Sequence, residues 1–232
     1  VSFQEPESAE QGASESREPE GPEAPLLDGR SARALRTRRT ISDAHLALIN
    51  DGELRPSARQ VTERAGVSQR TLWDNFKDME SVMAETAARQ LAEQDAALVP
   101  IDAGLALAER IELYCAQRGN VLEAVAPMAR AADVHRPFSP VLQRNLESNL
   151  ERIRAEIERL FEPELSLLDE DRRNRITLAL CTASDWANWQ LLRAYLGQSA
   201  EEARRALEVS VGALLVRSCS PNVVDHEKRK SS

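Results

Sequence analysis

The sequence predicts an all-α fold, and three observations carry that expectation. From Arg30 onward glycine and proline are sparse while Ala, Leu, Arg and Glu dominate, and the last four accept helical geometry at little cost. No run of alternating β-branched residues appears. Apolar residues instead recur every three or four positions between recognisable caps, as a helix with a buried face requires.

Taken in order, a first helix is expected from Ala32 or Arg38 to Asn50, with Ile41, Ala44, Leu48 and Ile49 on one side and Asp51-Gly52 as its stop. Pro56-Ser57 opens a second, because Ser57 and Gln60 have the spacing of a capping box. Gly66 ends it at a left-handed position. Ser68 caps a short third helix over Gln69 to Asn75, and Asp78 opens a fourth that carries Met79, Val82, Met83, Ala87 and Leu91 and ends at Pro100. Apolar periodicity over Ala103 to Ala116, and again over Val121 to Val134, predicts two helices before the elbow Pro137-Phe138-Ser139-Pro140. Leu142, Leu146, Leu150, Ile153, Ile157 and Leu160 mark a long amphipathic helix ending near Pro163. Glu170 to Leu196 reads as one long helix closed by Gly197, and Ser199 with Glu202 caps a last helix through Ser218.

The formal charge of -8 argues against nucleic acid until its distribution is read. Residues 1–29 carry eight acidic residues against Arg17 alone, in a Glu, Pro, Ser and Gly-rich composition that buries too little to fold. Residues 30–77 carry ten basic residues against five acidic. One basic module thus lies between two acidic segments. The boundaries that follow are an acidic tail over 1–29, a DNA-binding module over 30–77, a helical effector-binding and dimerisation body over 78–218, and a tail over 219–232.

The decisive stretch runs from Ser57 to Trp73. Two short helices share a tight turn, Val61 and Ala65 can pack against Val67 and Leu72, and Ser68 starts a second helix free to offer side chains to a major groove. This is a helix-turn-helix. Ala65-Gly66-Val67-Ser68, then Thr71-Leu72-Trp73 and Phe76, with the acidic Glu80 after them, resembles the TetR family of bacterial regulators. The likeness covers Arg38 to Met83 and extends more weakly to Phe138-Ser139-Pro140 and to Leu192 through Ala203.

The resemblance implies an all-α homodimer, a three-helix reading head, and a helical-bundle domain that binds a small-molecule effector. It makes Gln69 and Arg70 the base-contacting candidates, since glutamine can pair bidentately with adenine and arginine with guanine. Arg59 on the preceding helix is a further base contact by the same likeness. Ser57, Ser68, Thr71, Trp73, Asn75 and Lys77 would contact or flank phosphates, and Arg38 and Arg39 belong to a basic arm that begins at Arg30. Trp73 stands where the family usually has Tyr, and Met79 where many members have Lys. Ile176, Leu180, Ala187 and Leu191 on one helix and Leu207, Val211 and Leu214 on the next are the expected dimer contacts, by likeness to the family's four-helix interface. The partners implied are double-stranded operator DNA, a second copy of the chain and an effector, expected to be apolar, among residues 83–114, 121–134 and 142–189.

Other classes find less support. Cys115, Cys181 and Cys219 are far apart, and His45, His135 and His226 lack paired ligand spacing, so neither a disulfide framework, a metal site nor a cofactor is expected. No glycine loop for phosphate, no G-x-S-x-G and no H-E-x-x-H occurs, so no enzyme is expected. No stretch is apolar for long enough to span a bilayer, and the acidic opening lacks the pattern of an export signal, which makes the cytoplasm the expected compartment. The alternative reading is a helical dimerisation or adaptor protein whose helix-turn-helix is vestigial.

Overall fold

The structure, a computed structural model, describes residues 29–219, where all regular structure is helical. The expected tails over 1–29 and 219–232 lie outside them, except that Gly29 and Cys219 are the outermost helical residues. The elements are α1 (Gly29–Asn50), α2 (Ala58–Ala65), α3 (Gln69–Asn75), α4 (Met79–Ala97), α5 (Leu107–His135), α6 (Pro140–Leu160), α7 (Glu162–Leu165), α8 (Glu170–Ala183), α9 (Trp186–Gln190) and α10 (Ala200–Cys219). A single 3₁₀ turn, Arg136–Phe138, joins α5 to α6, and a π-helical turn, Leu191–Tyr195, extends α9.

The first three helices close around Ile41, Val61, Leu72 and Phe76, with Val82 of α4 completing the cluster. These are the inward apolar positions of the three helices. A larger core, with Tyr114, Cys115, Ile153, Ile157, Leu160, Phe161, Leu180, Leu207, Val211 and Leu215 among its members, joins α5, α6, α8 and α10 into the body. Between the two lies a third cluster, Ile49 and Met83 packed on Met128, Ala131 and Leu142, with Leu46, Leu54, Ala87 and Ala132 at its edge. Head and body therefore share a continuous apolar joint. Its neighbour His45 is buried, with Nδ1 3.1 Å from Thr86 Oγ1.

One buried ion pair locks the body at its far end. Arg110 donates to Glu164 through both terminal nitrogens at 2.9 and 2.5 Å, to the Leu160 carbonyl at 2.7 Å, and through Nε to the Leu105 carbonyl at 3.0 Å. Four of the five guanidinium N–H groups are met, two of them by the carboxylate, which is the condition under which such burial is tolerated.

Two helix boundaries differ from the sequence expectation. The two helices expected over 103–134 are one, α5, which runs through Gly119 and Pro127. Gly119 is not a stop: a Cβ there would lie 3.2 Å from Trp189 Cη2, so glycine permits the indole to seat on the helix backbone. Conversely the single helix expected over 170–196 breaks after Ala183. Ser184, fully buried, accepts a 2.8 Å hydrogen bond from the Tyr114 hydroxyl, and the Asp185 side chain accepts from Ala187 N to start α9. Local capping by short polar side chains competes with helix continuation, and here it prevails because a partner 70 residues away holds Ser184 in place.

Candidate nucleic-acid interface

The turn between α2 and α3 is built as its residues demand. Ser57 and Gln60 form a reciprocal capping box, Ser57 Oγ accepting from Gln60 N and Gln60 Oε1 accepting from Ser57 N at 2.8 Å. Gly66 takes φ 64°, ψ 31°, the left-handed conformation that glycine adopts without Cβ strain. Ser68 then caps α3 by accepting from Thr71 N at 3.0 Å. With Leu72 and Phe76 anchored in the head core, the opposite side of α3 is turned outward.

The outward face of α3 carries Gln69, Arg70, Trp73 and Asp74, and Lys77 follows just past its end, all exposed. The Arg70 side chain is 91% exposed and touches only Asp74, at 3.9 Å. Trp73 leaves 43% of its surface open, a large aromatic area for a side chain with no partner cluster. Ser57 and Ser68 are exposed at their helix starts, and Thr71 is half-buried with its hydroxyl 2.9 Å from Ser68 Oγ. Arg59 stands on the exposed side of α2 in a 2.7 Å pair with Glu63, and Arg39 is exposed on α1. Asp74, not singled out by the sequence, sits beside Arg70 one helical turn on; the i,i+4 spacing was its only signal.

Two expected contacts are placed elsewhere. Arg38 is committed inside the head: it pairs with Glu85 of α4, donates to the Asn75 carbonyl, and stacks 4.3 Å from the Phe76 ring centroid. Asn75 turns back on its own helix, donating from Nδ2 to the Thr71 carbonyl at 2.8 Å. Arg38 thereby braces α3 against α1 and α4, because a seven-residue helix has too few internal bonds to hold its own angle.

The expected dimer residues are likewise corrected in part. Leu180, Leu207 and Val211 are buried to 1% exposure or less in the body's own core, and Ile176 and Leu214 pack against that core. Ala187 and Leu191 are exposed but lie beyond the break, on α9 and its π-helical turn. The outward apolar positions of α8 and α10 are instead Leu178, Val209, Ala213 and Val216. In a helix apolar on two sides, the pattern does not say which stripe meets its own chain.

The body carries a chamber that opens to solvent. One part, of about 350 Å³, is bounded by α4, α5 and α6, and an adjoining part, of about 130 Å³, reaches Trp186. Met128, Ala87, Ala132 and Leu142 of the head–body joint form part of its wall. The two cysteine thiols described are poor nucleophiles: burial pushes Cys115 up to about 12 and raises Cys181 as well. Among the described residues no group of three His, Cys, Asp or Glu side chains gathers as metal ligands, and no helix is long and apolar enough to cross a membrane.

The chain thus folds as a three-helix head with an exposed third helix, fused to a helical bundle. The same arrangement appears in solved structures. A transcriptional regulator from Rhodococcus sp. Rha1 superposes with a TM-score of 0.60 at 18% identity, over 79% of this chain and 96% of that one. A candidate TetR-family transcriptional regulator from Mesorhizobium loti MAFF303099 superposes with a TM-score of 0.56 at 18% identity, over 80% of this chain and 98% of that one. The all-α fold is therefore the one seen in TetR-type regulators, as the Ala65 to Phe76 motif leads one to expect. No family profile and no curated protein matches the sequence.

Proposed function

We propose that this chain is a homodimeric, DNA-binding transcriptional regulator, which inserts α3 of each protomer into the major groove of a pseudo-palindromic operator and answers a small molecule held in the body chamber. The observation that carries this reading is the outward face of α3: Gln69, Arg70 and Trp73 exposed together, with Lys77 exposed just beyond, on a helix whose opposite side is pinned by Leu72 and its C-cap Phe76. Gln69 and Arg70 read base edges. Trp73, Lys77, Ser57, Ser68 and Thr71 contact phosphates, with Arg59 and Arg39 extending the contact on either side. The exposed Arg59–Glu63 and Arg70–Asp74 pairs are open to solvent and exchange readily for phosphate or base partners.

Dimerisation uses the paired outward faces of α8 and α10, centred on Leu178, Val209, Ala213 and Val216. Two-fold symmetry then sets the two heads about one helical turn of DNA apart, roughly 34 to 36 Å. The ligand-free dimer holds operator and acts as repressor. A ligand that prefers another head spacing releases it, because only a difference in affinity between two states moves their populations. The joint supports this coupling, since Met128 and Leu142 touch the head through Ile49 and Met83 and also wall the chamber.

The test is selection of bound sequences from random duplex DNA, followed by titration with Arg70→Ala. Expected are a pseudo-palindromic site, affinity that falls steeply with added salt, and an Arg70→Ala variant that loses about 1 to 3 kcal/mol of discrimination at one position of each half-site. Binding that ignores sequence, or a variant as discriminating as the parent, refutes the assignment. A chain that dimerises without binding DNA would instead be a helical adaptor.

A further inference from the structure

The chamber has two lobes of opposite character, and Leu91, Arg118, Val121 and Asn149 line both. The smaller lobe is walled by Val125, Met128, Ala129, Leu146 and Trp186. The larger receives Arg118, Arg152 and Arg159, together with Gln117 and Glu156. Arg118 and Arg152 are half-buried and Arg159 is exposed at the rim, and a guanidinium partly withdrawn from water favours an opposite charge beside it.

The protein supplies only part of that charge. Arg152 pairs with Asp95 at the edge of the larger lobe. Among the described residues neither Arg118 nor Arg159 makes an ion pair; their hydrogen bonds go to the carbonyls of Ser184 at 2.7 Å and Ile101 at 3.1 Å. Glu156 is the one other acid on this wall, and burial raises its carboxyl above the usual range even against the attraction of Arg118, Arg159 and Arg152. The acid nearest the free arginines is thus the one whose charge burial opposes. The smaller lobe has a polar demand too: Asn145 Nδ2 and Asp185 Oδ1, both on residues of its wall, are buried with no hydrogen-bond partner.

We propose that the chamber binds an amphipathic organic acid, its carboxylate held by Arg118, Arg152 and Arg159 and its apolar body lodged against Val125, Leu146 and Trp186. The proposal rests on the ligand-responsive reading above and names the chemistry of that ligand. A guanidinium fork matches a carboxylate with two parallel hydrogen bonds, so the arginine lobe sets orientation as well as charge. A molecule without a negative charge would leave Arg118 with no ion-pair partner, its hydrogen bond to the Ser184 carbonyl aside. A simple inorganic anion would leave the lobe at Trp186 unfilled. A hydroxyl or carbonyl on the apolar body would satisfy Asn145 or Asp185 and add selectivity.

The test is calorimetric titration of the full chain with octanoate and 4-phenylbutyrate, each beside its uncharged alcohol, and with acetate and inorganic phosphate as headgroups without a body. At least one acid is expected to bind about tenfold or more tighter than its alcohol and than acetate or phosphate. Arg118→Gln and the more exposed Arg159→Gln should each remove most of the preference for acid over alcohol while the alcohol still binds, which separates loss of the charge contact from loss of the fold. The proposal is overturned if neither acid binds, if an alcohol matches its acid, if acetate or phosphate matches the acids, or if both variants keep the preference. Operator retention is read separately. Arginine-dependent acid binding that leaves DNA retention unchanged upholds the ligand class and sinks the release step, whereas acid-blind binding beside a proven operator does the reverse.

Discussion

The reading head and the helical body handle charge in opposite ways. In the head the apolar residues close completely around Ile41, Val61 and Leu72, and the arginines of α2 and α3 point to solvent. In the body the packing is left open around a chamber, and Arg110, Arg118 and Arg152 are turned wholly or partly inward. A surface that meets a polyanion keeps its cations hydrated and uncommitted. An interior that holds cations has to give each one a partner or reserve it for a ligand.

The sharpest way to break this contrast is at Arg110, whose partners are all internal. Arg110→Ala should cost about 3 to 5 kcal/mol by leaving Glu164 buried and unpaired, read as a lowered midpoint in urea. The double variant Arg110→Met, Glu164→Leu should recover most of the loss; if it does not, the pair is not what holds that end of the body.

A smaller effect is expected at the joint, where His45 lies between head and body. Burial first, and the nearby His135 second, lower its pKa from 6.5 to about 4. The folded protein therefore keeps His45 neutral, and the unfolded chain binds the extra proton. The stability this contributes is complete above pH 6.5 and is lost as pH falls from there toward 4. The loss should reach up to about 3 kcal/mol, and a His45→Gln variant should show a flatter decline over the same window. Glu80 shares the cavity with both histidines, so Glu80→Gln is the control that reports whether a neighbouring carboxylate alters the window.

The smallest effect belongs to the head's own start. Ser57→Ala removes the acceptor for Gln60 N and should cost about 1 kcal/mol, with α2 fraying by amide exchange while the body stays protected. Equal loss of protection in both would mean that the two regions unfold as one unit through the joint.

How legible these features were in the sequence depends on how local their causes are. The limits of α2 and α3 could be read from Ser57, Gly66 and Ser68 because each acts within four residues of itself. The outward residues of α3 followed from them, so Gln69 and Arg70 were found. Arg38 was not, because its commitment to Glu85 spans 47 positions and nothing nearby signals it. Leu178 and Leu180 look alike in sequence, as do Val209 and Val211, and only the packing of α8 on α10 separates outward from inward. The chamber arginines sit among ordinary surface charges in the pattern, so the sequence pointed to an apolar effector and gave no sign of the basic wall.

The shared side chains of the joint limit how such a protein can change. Val121, Val125 and Leu146 touch the chamber without belonging to the joint, whereas Met128 and Leu142 belong to both. Under the proposed function, substitution at the first group would retune which molecule is sensed and leave grip on DNA as it was. Substitution at the second would alter sensing and grip together, so new specificities should arise through the first group far more readily than through the second.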